Sequence, residues 1–184
     1  MKFHASIVQT VFQSPLGSIT LAATDHGLAG LWFEGQRHLP LELLDPTLAA
    51  QYASGAALPW SVDPSHPVLR QAVRQLTEYF AGERNLFDLP LDLSGGTSFQ
   101  QTVWRALLDI PRGGTASYSE VSNRVGKPSA MRAVGAAIGR NPVSIVVPCH
   151  RVVGLNGMLT GYAGGLGRKT ALLKLEGALQ EIFN

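Results

Sequence analysis

Cysteine is all but missing from this chain: position 149 holds the one thiol among 184 residues. A single cysteine cannot close an intramolecular disulfide, which fits a reducing compartment and leads to the expectation of a cytoplasmic protein. Charge is sparse as well, at 15% of residues, and no block of like charges marks a disordered tail. No apolar stretch approaches the roughly 18 residues needed to span a membrane. The opening MKFHASIVQT lacks the apolar segment of a secretory signal. Internal repeats and low-complexity segments are missing too. These absences leave a soluble globular protein with no membrane partner.

What is present is enough apolar material for a sizeable core, 45% of the residues. The formal net charge of +2 hides an asymmetry. Residues 1–96 carry five Lys/Arg against nine Asp/Glu, or −4, and residues 97–184 carry ten against four, or +6. Such a split suits a polyanion-binding half beside a supporting half. Uneven solvation of two domains would give the same numbers.

The patterning follows that division. SIVQTVFQ, SITLAATD and LAGLWFE are β-prone runs separated by Ser14-Pro15-Leu16-Gly17 and Asp25-His26-Gly27, so a small antiparallel sheet is expected. Residues 35–66 give no clear element and read mostly as loop. Leu69, Val73, Leu76 and Phe80 recur at helical spacing between Pro67 and Ala81. Leu91 to Gly96 reads as a linker, which sets domain limits of 1–92 and 93–184.

The second half reads as short helices. Thr97 with Gln100 forms a capping box ahead of Phe99, Val103 and Leu107, and Pro111 stops that helix. Ser117 with Glu120 opens the next, to about Val125; Gly126-Lys127-Pro128 breaks it, and Ser129 can cap a third helix ending near Gly139. Helix, glycine turn, helix is a helix-turn-helix outline. The third helix is made of small residues with one protruding arginine, Arg132. It suits either close packing in a core or a helix laid against DNA. The fold class expected is α+β: an N-terminal sheet with a helix, then a mainly helical, winged-helix-like domain.

Ser144 to Val147 reads as a short buried strand delivering Cys149 to its end, after Pro148. His150 supplies a base and Arg151 a positive charge that would favour thiolate. Neighbours in an extended chain point opposite ways, so water is the expected link between Cys149 and His150. Glu176 is a candidate to orient the imidazole.

Taken in order, "NPVSIVVPCHRVVG", "GYAGG" and "LLKLEG", with "SY" and "RAVG" before them, resemble the O6-alkylguanine-DNA alkyltransferases from about Thr97 to Gly177. The resemblance implies that Cys149 takes the alkyl group from O6-alkylguanine in double-stranded DNA, with O4-alkylthymine as a second substrate, once per molecule. By the same resemblance His150 deprotonates the thiol through water, Glu176 holds the imidazole, and Asn141 braces the turn. Arg132 would fill the stack vacated by the flipped base, on a helix whose Ala130, Ala133 and Gly135 approach the DNA. Tyr118 would rotate the phosphate and polarise the base, while Val152, Tyr162, Ala163 and Lys169 would form the pocket. The chemistry agrees: an alkyl carbon suits a thiolate, and the base must leave the duplex to be reached. No cofactor is needed, and a monomer is expected. Some members hold a zinc ion with N-terminal cysteines and histidines, but His4, His26, His38 and His66 are scattered here and no metal site is expected. A lesion-binding relative without transfer and a Cys-His hydrolase are the competing classes. The presence of Cys149 weighs against the first, and the helix pair, purposeless in a hydrolase, against the second.

Overall fold

β-branched and aromatic residues alternate in the first three runs, and these pair as expected. A computed structural model describes residues 3–43 and 60–179. Its sheet contains β1 (Val8–Ser14), β2 (Gly17–Thr24) and β3 (Gly27–Phe33), joined as antiparallel neighbours, with the short β4 (Ser61–Val62) parallel to β1. Part of the 35–66 stretch, residues 44–59, lies outside the described residues. Helix α1 (Pro67–Phe80) starts with proline at its first turn, where the missing N–H costs nothing. It buries Leu69, Ala72, Leu76 and Tyr79 on the sheet; Val73 and Phe80 lie only partly inside that face.

The strand order β3-β2-β1-β4 leaves β3 at an edge, with backbone groups to be satisfied. Two later segments do so. Leu91 bridges Leu28, and Val143 bridges Leu31, with Leu31 N–H donating to Pro142 O at 2.8 Å and Ser144 N–H to Leu31 O at 3.1 Å. Leu91–Gly96 is therefore docked rather than a free linker: Asp92 is buried and accepts from the Thr24 hydroxyl at 2.6 Å. The second bridge hangs the Cys149 turn on the N-terminal sheet.

The remaining helices are α2 (Ser98–Leu107), α3 (Tyr118–Arg124), α4 (Met131–Gly139) and α5 (Leu166–Leu175). Both capping boxes form, Thr97 with Gln100 and Ser117 with Glu120. Ser129 caps nothing: Pro128–Ala130 winds into a 3-10 turn and Ala130 is the residue ahead of α4. Helices α3 and α4 pack together, and α2 packs on α4, where the Trp104 indole N–H donates to Ala137 O at 2.8 Å. Strands β5 (Ala116–Ser117) and β6 (Val152–Val153) form a small parallel pair. Buried side chains from both halves make one continuous cluster, from Ile19 and Leu31 through Trp104 and Val134 to Leu172.

Candidate active site

The expected strand before the cysteine is replaced by a turn. Of this segment Val143 alone bridges β3; Ser144–Val146 turn back, with Ile145 at φ 70°, and Cys149–Arg151 form a 3-10 turn. Positive φ is costly for a β-branched residue and persists only where neighbours enforce it. Asn141 is that neighbour. Its Oδ1 accepts from Val143 N–H at 3.0 Å, and its Nδ2 donates to Val147 O at 2.8 Å and to Cys149 Sγ at 3.0 Å. The amide thus holds the turn closed and touches the thiol.

All residues from Asn141 to Val153 are buried. Burial pushes the Cys149 thiol up, against the pull of the Asn141 hydrogen bond and the Lys169 charge. The resting group is a thiol. Arg151 does not favour thiolate as expected, because its guanidinium is engaged elsewhere: Nε donates to Glu176 Oε2 at 2.8 Å, Nη2 to Oε1 at 2.9 Å and Nη1 to Ile110 O at 2.5 Å.

His150 Nε2 lies 2.9 Å from Glu176 Oε1. A carboxylate only accepts, so Nε2 carries the proton and Nδ1 is the free base nitrogen. Nδ1 is buried and has no hydrogen-bond partner among the described residues, and none links His150 directly to Cys149. Burial lowers the His150 pKa against the raising effect of Glu176, so the ring rests neutral. Burial alone would raise the Glu176 carboxyl, but hydrogen bonds from His150 and Arg151 hold it well below the usual carboxylate range. The Tyr79 hydroxyl adds a further donor to Oε1 at 2.7 Å.

Beside the thiol lies a cavity of about 120 Å³ whose walls include Tyr118, Gly135, Cys149, Gly161, Tyr162 and Ala163, with Arg37 from the N-terminal half. The loop Gly161–Gly165 is tied to that half, Arg37 N–H donating to Ala163 O at 3.0 Å and Arg168 reaching Leu16, Glu34 and Gly164 carbonyls. The Tyr162 hydroxyl is buried with the Ser144 hydroxyl as its neighbour, and burial first, then Cys149, raises its pKa far above the usual value.

Two pocket residues expected from the resemblance do not line this cavity. Val152 pairs with Ala116 in the small sheet and its side chain fills the core. Lys169 is fully buried and donates to Val152 O at 2.5 Å and Thr160 O at 2.7 Å, its pKa pulled down to about 8 by burial. It braces the segment ahead of the loop.

On α4, Val134, Ala137 and Ile138 face inward, while Arg132 and Ala133 are exposed and Ala130 and Gly135 are half-buried. The packing reading of the small-residue helix holds on its inner face, and the outer face, with Arg132, is left exposed. Arg132 makes no hydrogen bond or ion pair among the described residues and is free to reach a partner.

Known proteins resemble this chain over most of its length. Residues 7–93 match the ribonuclease-like domain of 6-O-methylguanine DNA methyltransferase, and residues 98–178 match its DNA binding domain. The methylated-DNA–protein-cysteine methyltransferase of Mycobacterium tuberculosis is 47% identical over 163 residues, 89% of this chain and 88% of the relative. The chain belongs to the 6-O-methylguanine DNA methyltransferase family. The Methanosarcina acetivorans member is 44% identical, covering 91% of this chain and 97% of its own. The crystal structure of the M. tuberculosis O6-methylguanine methyltransferase superposes with a TM-score of 0.76, over 96% of each chain at 44% identity. That of M. tuberculosis OGT in complex with DNA gives 0.75 at 46% identity, over 91% of each chain.

The sequence missed Tyr79, Arg37 and the pairing of Arg151. Tyr79 had a readable signal: a tyrosine on the buried face of α1 needs a partner for its hydroxyl. Arg37, in a loop without periodicity, had none.

Proposed function

We propose that this protein repairs DNA by moving the alkyl group of O6-alkylguanine, and of O4-alkylthymine, onto its own Cys149. The observation that carries the reading is the buried thiol at the wall of a small cavity, bonded to Asn141 and next to an imidazole whose free Nδ1 has no partner among the described residues. The base is rotated out of the duplex into that cavity, and Arg132 occupies the vacated stack. With the substrate seated, water relays the thiol proton to His150 Nδ1, while Glu176 stabilises the imidazolium. The thiolate attacks the alkyl carbon, an S–C bond forms, and the C–O6 bond breaks with its electron pair returning to guanine. Guanine takes up one proton, which balances the proton lost by sulfur. Tyr118 and the Ala163 N–H, which makes no hydrogen bond among the described residues, stabilise charge growing on O6. The thioether is stable, so each molecule reacts once. Residues 93–184 carry DNA binding and transfer, residues 1–92 support them, and the protein acts as a cytoplasmic monomer.

The test is incubation with duplex oligonucleotide carrying labelled O6-methylguanine, followed by intact-mass and peptide analysis. One methyl per chain, on Cys149, is expected, and Cys149→Ser should bind the lesion without transfer. A methyl adduct on the serine variant, or lesion binding without transfer by the unmodified chain, would overturn the reading.

A further inference from the structure

We propose that Tyr79, from the N-terminal half, is a positioning residue for the transfer site, its hydroxyl setting the basicity of His150 through their shared carboxylate. The proposal rests on the reading that His150 is the base for Cys149.

Glu176 Oε1 receives three donors: Tyr79 O–H at 2.7 Å, His150 Nε2–H at 2.9 Å and Arg151 Nη2–H at 2.9 Å. Among the described residues Oε2 receives only Arg151 Nε–H, at 2.8 Å. Tyr79, His150 and the Glu176 carboxylate are shielded from water, so these bonds compete for one oxygen's electron density with little solvent to compensate. A donor that draws density from Oε1 weakens its hold on the imidazole N–H and makes His150 a weaker base. The tyrosine is well fixed for this task. Its ring is packed at the end of α1 against Phe80 and Phe87, and the Arg112 guanidinium stands 5.4 Å from the ring centroid. Arg112 itself donates to Arg84 O at 2.7 Å and Leu175 O at 2.8 Å, joining the segment after α1 to the end of α5 just before Glu176. The charged and titratable groups around the pair are Arg151 from the turn, Lys169 from α5, Cys149, Tyr79 and Arg112. Tyr79 is the neutral donor among them that bonds the carboxylate.

Two variants test the proposal in the full chain: Tyr79→Phe, and replacement of Tyr79 alone by 3-fluorotyrosine, whose more acidic phenol is a stronger donor on the same frame. Ring-nitrogen NMR of His150, assigned by its loss in His150→Gln, reads the Nε2–H resonance. It should move downfield in Tyr79→Phe and upfield with fluorotyrosine. The acid limb of the rate of benzyl transfer from O6-benzylguanine should move up by about half a pH unit in the first and down in the second. If Tyr79→Phe does not fold, the fluorotyrosine protein decides alone. A His150 resonance and pH profile unchanged in the variants that fold, even with a lowered melting temperature, would overturn the proposal and leave Tyr79 a packing residue. Failure of the parent to take methyl from duplex O6-methylguanine would instead strike the functional reading, while the resonance shifts would still report the Tyr79 coupling.

Discussion

Cys149 and His150 are both buried and both neutral at rest, and that has a measurable consequence at the level of single residues. The native His150 pKa is lowered, by burial chiefly, from an ordinary 6.5. The unfolded chain therefore takes up a proton that the native one refuses. The stability contribution is fully present above pH of about 6.5 and is lost as pH falls towards the native pKa, by at most about 1.4 kcal/mol per unit. Glu176, also lowered, adds the same sign below pH of about 4.5, where the unfolded carboxyl protonates first. Urea unfolding followed from neutral to acid pH should show this loss, and His150→Gln should flatten its upper part. Stability that rises on acidification from neutrality would mean a charged native imidazole. Asn141→Ala makes a second case. It strands the Val143 N–H, takes one of two hydrogen bonds from Val147 O and releases Ile145 from its enforced φ, a loss of about 1–3 kcal/mol from the unsatisfied buried donor. Chemical denaturation should report that loss together with slower transfer; a variant as stable as the parent would deny Asn141 its bracing role.

Among the elements, those governed by local chemistry were readable and those governed by distant partners were not. The two capping boxes state their helix starts within four residues, and the structure follows them at Thr97 and Ser117. SIVV has strand propensity, yet with Asn141 bridging both ends it turns, because a side chain six residues from Val147 outcompetes the ladder. LDLSGG looks like a linker until the open edge of β3 claims Leu91. At the site, Cys149, His150 and Glu176 were legible as residue types in order, whereas the carboxylate's further partners came from α1 and the turn itself. Helix α4 supports two expectations. Arg132→Ala should slow repair of duplex DNA far more than benzyl transfer from the free base, because only the duplex needs its stack refilled. Equal slowing on both substrates would assign the arginine to the pocket or the fold. Gly135→Ala should fold well: a Cβ there meets Tyr118 at 3.6 Å, ordinary contact, and alanine gains up to about 1 kcal/mol of helix propensity. It should still slow transfer of bulky alkyl groups, since that methyl group would join the wall of the cavity. Undiminished benzyl transfer would remove Gly135 from the pocket wall.

At the scale of the whole molecule the two halves are bound by more than a linker. One core runs through both, β3 pairs with Val143, and the Gly161–Gly165 loop hangs on Arg37 and on Arg168, whose guanidinium also lies 4.7 Å from the Phe33 ring centroid. What happens to that loop when Cys149 is alkylated follows from volume. The cavity of about 120 Å³ has room for a methyl group, so methylation need not overpack the core. A benzyl group is another matter, because a cavity of about 150 Å³ is what a benzene ring fills. A flipped base can lie across the open mouth of the cavity, but a ring tethered to Cys149 is held at its inner wall and would have to press on Tyr162 or the loop, and overpacking costs about 1–3 kcal/mol. In a chain of this length each kcal/mol lowers Tm by about 2–4 °C. Calorimetry of fully modified protein, checked by mass, should therefore give a methylated form melting close to the parent and a benzylated form melting about 2–12 °C lower. Limited proteolysis should then cut the benzylated form first around Gly161–Gly165. Equal melting of the two forms, or earliest cleavage elsewhere, would mean that the loop is not what yields when the cavity is filled.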